Sequence, residues 1–141
     1  MGKKFWIATV VATVLFFILD WVIHGMILHG MYEAPGMRTE PLYLWLVIGE
    51  FVFAAAFTWI YAQGYEAGKP VIGQGVRYGV AVGVLIGVAW GFIMYAINPV
   101  PWSYVITMMV LVVIELAVVG AVVAMLIGPR GGGGPSPAPS M

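Results

Sequence analysis

Apolar residues run almost unbroken through four stretches of this chain, at 5–28, 42–61, 76–97 and 102–127. Each reaches the roughly 20 residues that a helix needs to cross a 30 Å hydrocarbon core. Polar or helix-breaking residues separate them at 29–41 and 62–75, and the tetrapeptide Asn98-Pro99-Val100-Pro101 is short enough only for a helical hairpin. The pattern predicts an all-α protein, a four-helix transmembrane bundle formed by residues 1–128. The remainder, 129–141, is rich in Gly, Pro and Ser, has nothing with which to build a core, and is read as a disordered cytoplasmic tail. An inverted duplication of the kind found in some transporters is not visible.

The third stretch carries a second pattern. Gly75, Gly79, Gly83, Gly87 and Gly91 recur every four residues. Each glycine would cost a water-exposed helix about 1 kcal/mol against alanine. In lipid the backbone has no water to bond and stays helical, so missing side chains let another helix come close. A four-residue step turns about 40° past a full α-helical turn, so the stripe winds slowly and favours an oblique, right-handed crossing. The fourth stretch has its own small-residue face, Ala117, Gly120, Ala121, Ala124 and Gly128. It offers a seat for the third helix or for a second copy of the chain.

Composition sharpens the class. Of 141 residues, 62% are hydrophobic and 9% charged, against about 25% charged in soluble domains. The mean hydropathy is +1.01. Net charge is zero and there is no cysteine, so nucleic acid is not an expected partner and thiol chemistry is absent. Lys3, Lys4, Lys69, Arg77 and Arg130 fall on one side of a four-span topology and Arg38 on the other, which predicts that both termini are cytoplasmic. Tyr32, Tyr43, Trp45, Tyr95, Trp102 and Tyr104 mark the outer boundary; Phe5, Trp6, Trp59, Tyr61, Tyr65 and Tyr78 mark the inner one. The first stretch resembles a signal peptide only superficially. It is long, has no A-x-A site, and continues apolar past Asp20, so an uncleaved span is expected. Trp6 stands where a myristoylation signal needs Ser or Thr. A bacterial inner membrane is the expected location.

Three of the six acids, Asp20, Glu50 and Glu115, lie inside apolar stretches with no lysine or arginine near them. An ionised carboxylate at the bilayer centre costs at least about 2.5–3.5 kcal/mol. At 1.5 Å per residue, the three acids fall at similar depth, roughly 12–20 Å below the outer surface. Thr9, Thr13, Asp20 and His24 share a face of the first helix, with His24 one turn from Asp20. Asp20, His24, Glu50 and Glu115 are therefore the candidate buried polar cluster, with Thr13, Tyr43, Tyr95 and Tyr104 as candidate hydrogen-bond partners. A carboxyl group removed from water holds its proton more tightly, so such a cluster suits proton exchange; with His24 it also has the donors for a divalent cation. The alternative is that the acids tie helices together by hydrogen bonds of about 0.6 kcal/mol each.

His29 lies half a turn away from the His24 face and is expected to be interfacial. The two histidines belong to one helix and point apart, which disfavours a bis-histidine haem. No cofactor is expected, although glycine grooves also admit flat pigments or quinones; Trp90 falls inside the glycine sector and would partly block one. The nine methionines are scattered as apolar filler. No Gly-x-Ser-x-Gly, His-Glu-x-x-His or phosphate loop occurs, so no enzyme activity is expected. Ser103 follows Pro101 at a position suited to capping.

The segment LDWVIHGMILHGMY at 19–32, GVRYG at 75–79 and the late Glu115 resemble a type of small four-span bacterial membrane protein. The resemblance covers all four spans, excludes the tail, and implies topology without an activity. The leading expectation is a non-enzymatic membrane subunit. It associates through Gly75, Gly79, Gly83, Gly87, Gly91, Gly120, Ala124 and Gly128, as a homo-oligomer or within a larger complex. The alternatives are a small proton- or cation-coupled transporter or channel built on the acids, and a pigment- or quinone-binding protein.

Overall fold

In the computed structural model, which describes residues 2–31 and 40–128, the chain folds into four long helices, with no strand among the described residues. Helix α1 spans Lys3–Ile27, α2 Tyr43–Gly64, α3 Val71–Ile97 and α4 Trp102–Ile127, each long and apolar enough to cross a membrane. Large apolar side chains such as Trp6, Leu44, Leu85 and Ile97 cover the outside. A surface of this kind belongs in lipid. The expectations placed on Tyr32, Arg38, Arg130 and the 129–141 tail lie outside the described residues.

Local chemistry sets the ends. Asn98 and Val100 each precede a proline, a position that disfavours helical backbone. Asn98 is extended, and its Nδ2 donates to the Met94 carbonyl at 3.3 Å. Helix α4 begins directly after Pro101. Ser103 does not cap it; no side-chain cap bond forms there, and the Ser103 carbonyl instead accepts from Thr107 Oγ1 at 2.8 Å. Helix α3 begins at Val71, five residues before its apolar run, because Pro70 sets the turn and Gln74 is used as a latch. Gln74 is buried; its Oε1 accepts from the Glu66 amide at 2.9 Å, and its Nε2 donates to the Glu66 and Lys69 carbonyls at 2.9 and 3.2 Å. Lys69 and Glu66 form an ion pair across the same loop.

Each helix packs antiparallel against its neighbours. Helix α1 lies against α2 and α4, and α3 lies along α4. Helices α2 and α3 meet through side chains at one end, where Tyr78 contacts Phe57 and Tyr61 with ring centroids 4.6 and 5.5 Å apart. The main core joins Ala12 and Phe16 of α1, Ala54, Phe57 and Tyr61 of α2, and Leu116, Val119, Val123 and Ala124 of α4. Phe16 meets Phe53 and Phe57 edge-on at 5.1 and 5.7 Å, a favoured aromatic arrangement.

Five of the six glycines of α3, Gly75, Gly79, Gly83, Gly87 and Gly91, face α4 of the same chain; Gly73 does not. A Cβ at Gly75 would meet the Gly120 carbonyl, and one at Gly79 the Leu116 carbonyl. At Gly83 the nearest atom would be Val113 Cα at 2.8 Å, at Gly87 Val112 Cγ1 at 2.9 Å, and at Gly91 Met109 Cε at 2.6 Å. The contacts thus pass from backbone to side chain along the seam. A stripe that drifted round the helix would have left α4 by its far end. It does not, because residues Val84–Val88 form a π-helical segment. The wider π turn makes a four-residue step fall short of a full turn, which offsets the drift accumulated in the α-helical part. Trp90 is exposed and does not enter this seam.

Gly120 and Ala124 complete the seam from the α4 side. Gly128 does not. It has φ 54° and ψ −175°, a conformation suited to glycine, and its amide donates to the Ala124 carbonyl at 2.8 Å to end α4.

Candidate functional site

Asp20, Glu50 and Glu115 line one cavity of about 330 Å³, a cleft open on one side to the surface of the bundle. Helix α1 contributes Phe16 and Asp20, α2 contributes Trp45, Leu46, Gly49, Glu50 and Phe53, α3 contributes Ile86, and α4 contributes Val112, Glu115 and Leu116. These are helical i, i+3, i+4 sets, so each helix turns a single face to the space. Both π segments adjoin it. Asp20 is the last residue before the π turn Trp21–Ile27, and Ile86 lies within Val84–Val88. Insertions of this type re-aim the side chains beside them.

The acids occupy different settings around the space. Asp20 and Glu50 face the same space from α1 and α2. Glu115 is 6% exposed, and its Oε1 has no hydrogen-bond partner among the described residues. Among the described residues, no basic side chain lines the cavity. Trp45, Leu46 and Ile86 are exposed whereas Phe16, Glu115 and Leu116 are buried. The cavity therefore opens sideways, between α2 and α3, and has its floor against α1 and α4.

His24 is not part of the lining. Its Nε2 stands 3.5 Å from Asp20 Oδ1 on the exposed side of α1. Asp20 consequently has the cavity on one flank and His24 on the other. Among the described residues, no group of three or more His, Cys, Asp or Glu side chains is gathered closely enough to hold one metal ion. His29 is exposed in the turn after α1.

The candidate hydrogen-bond partners lie elsewhere. Thr13 donates to the Thr9 carbonyl on its own helix at 2.8 Å, satisfying its hydroxyl locally as threonines in apolar helices do. Tyr43 is exposed at the start of α2, and Tyr95 is exposed and packs on Trp102 with ring centroids 4.5 Å apart. Tyr104 packs beside Ile23 and Met108. None of the four lines the cavity.

Sequence reasoning missed the aromatic and apolar wall formed by Phe16, Trp45 and Phe53. The i, i+4 spacing of Phe16 to Asp20, and the i, i+3 spacing of Glu50 to Phe53, held that signal. Comparison of the chain with protein-family models, curated proteins and solved structures gives no match.

Proposed function

We propose that this is a small multi-pass membrane protein in which Asp20, Glu50 and Glu115 form an intramembrane proton-exchange site, as in a small proton-coupled transporter or channel. One observation carries the reading: three carboxyl groups from three helices line a single cavity, with no basic residue among the described residues of its lining. Intramembrane acids are costly and mark proton or ion pathways. Asp20 connects the interior to His24, which lies three residues, about 5 Å of helix rise, from the end of its span. The proton path proposed here runs from His24 to Asp20 and on to Glu50 and Glu115.

The proposed setting is a bacterial cytoplasmic membrane with both termini in the cytoplasm. Lys3, Lys4, Lys69 and Arg77 support it, because an up-and-down bundle gathers them at one end. The reading as a non-enzymatic subunit loses the surfaces first assigned to association. The glycine face of α3 and the Gly120–Ala124 face of α4 occupy each other within one chain.

The test is proton flux in liposomes containing the purified protein, read by an entrapped pH-sensitive dye under an imposed membrane potential. Wild type is expected to collapse the gradient faster than protein-free liposomes, and Asp20→Asn and Glu50→Gln to remove most of that excess rate. Equal rates in wild type and both variants would make the acids structural.

A further inference from the structure

Resting on the proton-site reading, the geometry points to a ligand class for the same cavity: a protonated amine carried on a small apolar body, entering sideways from the bilayer between α2 and α3. Three observations converge. The volume, about 330 Å³, lies at the lower end of the range typical of small-molecule sites. The walls are apolar and aromatic, with Phe16, Trp45 and Phe53 around the space. Aromatic rings attract a cation through the negative potential of their faces. The charged and titratable groups that face the cavity are Asp20 from α1, Glu50 from α2 and Glu115 from α4, with His24 behind Asp20 and none from α3. Every ionisable group in the lining is thus an acid, and a ligand that complements them is cationic.

Glu115 narrows the choice among cations. It is 94% buried by its 6% exposure, and its Oε1 lacks a hydrogen-bond donor. A buried carboxyl oxygen left unpaired costs more than a neutral group would. Oε1 is itself closed off, so a rotation of the Glu115 carboxyl toward the space brings an oxygen to the ligand. An ammonium N–H then supplies the missing donor, whereas a quaternary ammonium supplies charge alone. The site is therefore expected to prefer an amine over its trimethylated analogue, and both over an uncharged alcohol of the same skeleton. The exposed wall of Trp45, Leu46 and Ile86 fixes the route. Trp45 and Leu46 lie in the first turn of α2 and Ile86 near the middle of α3, so the opening runs from the outer boundary down into the acyl region and admits a ligand from the membrane.

The experiment measures binding to the full chain in nanodiscs by equilibrium dialysis, subtracting partition into empty discs. The probes are phenethylamine, its trimethylammonium analogue and phenethyl alcohol. Discs of phosphatidylcholine, which has no N–H donor, form the base condition. Wild type is expected to bind the amine about tenfold or more tightly than the alcohol, the scale of one charge-assisted hydrogen bond. Glu115→Gln should lose that preference, and Trp59→Phe, exposed and outside the lining, should keep it. Glu50→Gln provides a second variant if Glu115→Gln unfolds. A parallel series in phosphatidylethanolamine discs assigns the source. Competition by that lipid identifies the ammonium as a headgroup, and its absence identifies a free solute; both uphold the site so long as Glu115→Gln or Glu50→Gln abolishes the effect. Equal binding of amine and alcohol, or unchanged preference in both acid variants, overturns the inference. If the amine fails to bind while Asp20→Asn and Glu50→Gln still slow proton flux, the proton site stands and only the ligand falls.

Discussion

Tyr78 on α3 donates its hydroxyl to the backbone carbonyl of Phe57 on α2 at 2.8 Å. The bond ties these two helices at the end of the bundle remote from the acids. The cavity opens between the same two helices at the other end. Clamped at one end and parted at the other, α2 and α3 form the sides of the opening.

Tyr78→Phe keeps the ring contacts with Phe57 and Tyr61 and removes the hydroxyl. Hydrogen bonds between membrane helices average about 0.6 kcal/mol. The variant should lower the thermal unfolding midpoint in detergent only slightly. A loss as large as that of Phe57→Ala would mean that the bond, and not the ring, holds this end.

The seam between α3 and α4 predicts a graded response to added methyl groups. Gly79→Ala drives a Cβ into the Leu116 carbonyl, where nothing but backbone can move. Gly91→Ala meets the flexible side chain of Met109. Overpacking costs about 1–3 kcal/mol and more where the structure is unable to yield. Gly79→Ala should reach or exceed the top of that range, and Gly91→Ala should fall below it. Detergent melting of the two proteins side by side gives the order, and equal midpoints would contradict the close backbone approach.

Phe16→Ala removes a ring that fills the core and forms a cavity wall. Buried Phe→Ala changes cost about 3–5 kcal/mol. The same substitution at exposed Phe51 should cost far less. Denaturant titration in mixed micelles distinguishes them.

Gln74→Leu deletes three hydrogen bonds from one side chain to the Glu66–Lys69 turn. Each is worth about 0.5–1.5 kcal/mol. Because this turn lies beside exposed residues, water replaces part of the loss. Faster hydrogen exchange is expected at the Glu66 amide with little change inside the spans. Protection identical to wild type would show that the latch is not needed.

His24→Ala removes a partner of Asp20 that is half in the open, with side chains 51% and 37% exposed. Exposed ion pairs contribute about 0–1 kcal/mol, so stability should barely change. As the outer member of the proposed path, however, His24 should affect proton flux in liposomes, slowing it without abolishing it. Flux equal to wild type would remove His24 from the path and leave the acids.

The four helices were legible because hydrocarbon imposes a minimum length and admits few charges, which any long apolar run reveals. The breaks at Asn98-Pro99-Val100-Pro101 were equally plain, since proline restricts its own backbone and that of the residue before it. The face shared by Asp20 and His24 on α1 followed from periodicity alone. Periodicity is a property of one helix, however, and says nothing of which face meets which. The hairpin made α3 and α4 neighbours, but tertiary packing decided that the glycine stripe closes on the small-residue face of α4 within the chain and not on a second copy. It also decided that Glu50 and Glu115 join Asp20 while His24 stays outside. Two π turns contributed to this, and a 3.6-residue count does not anticipate a local change in pitch. The residues were chosen by the solvent; their meeting was chosen by contacts between helices far apart in the chain.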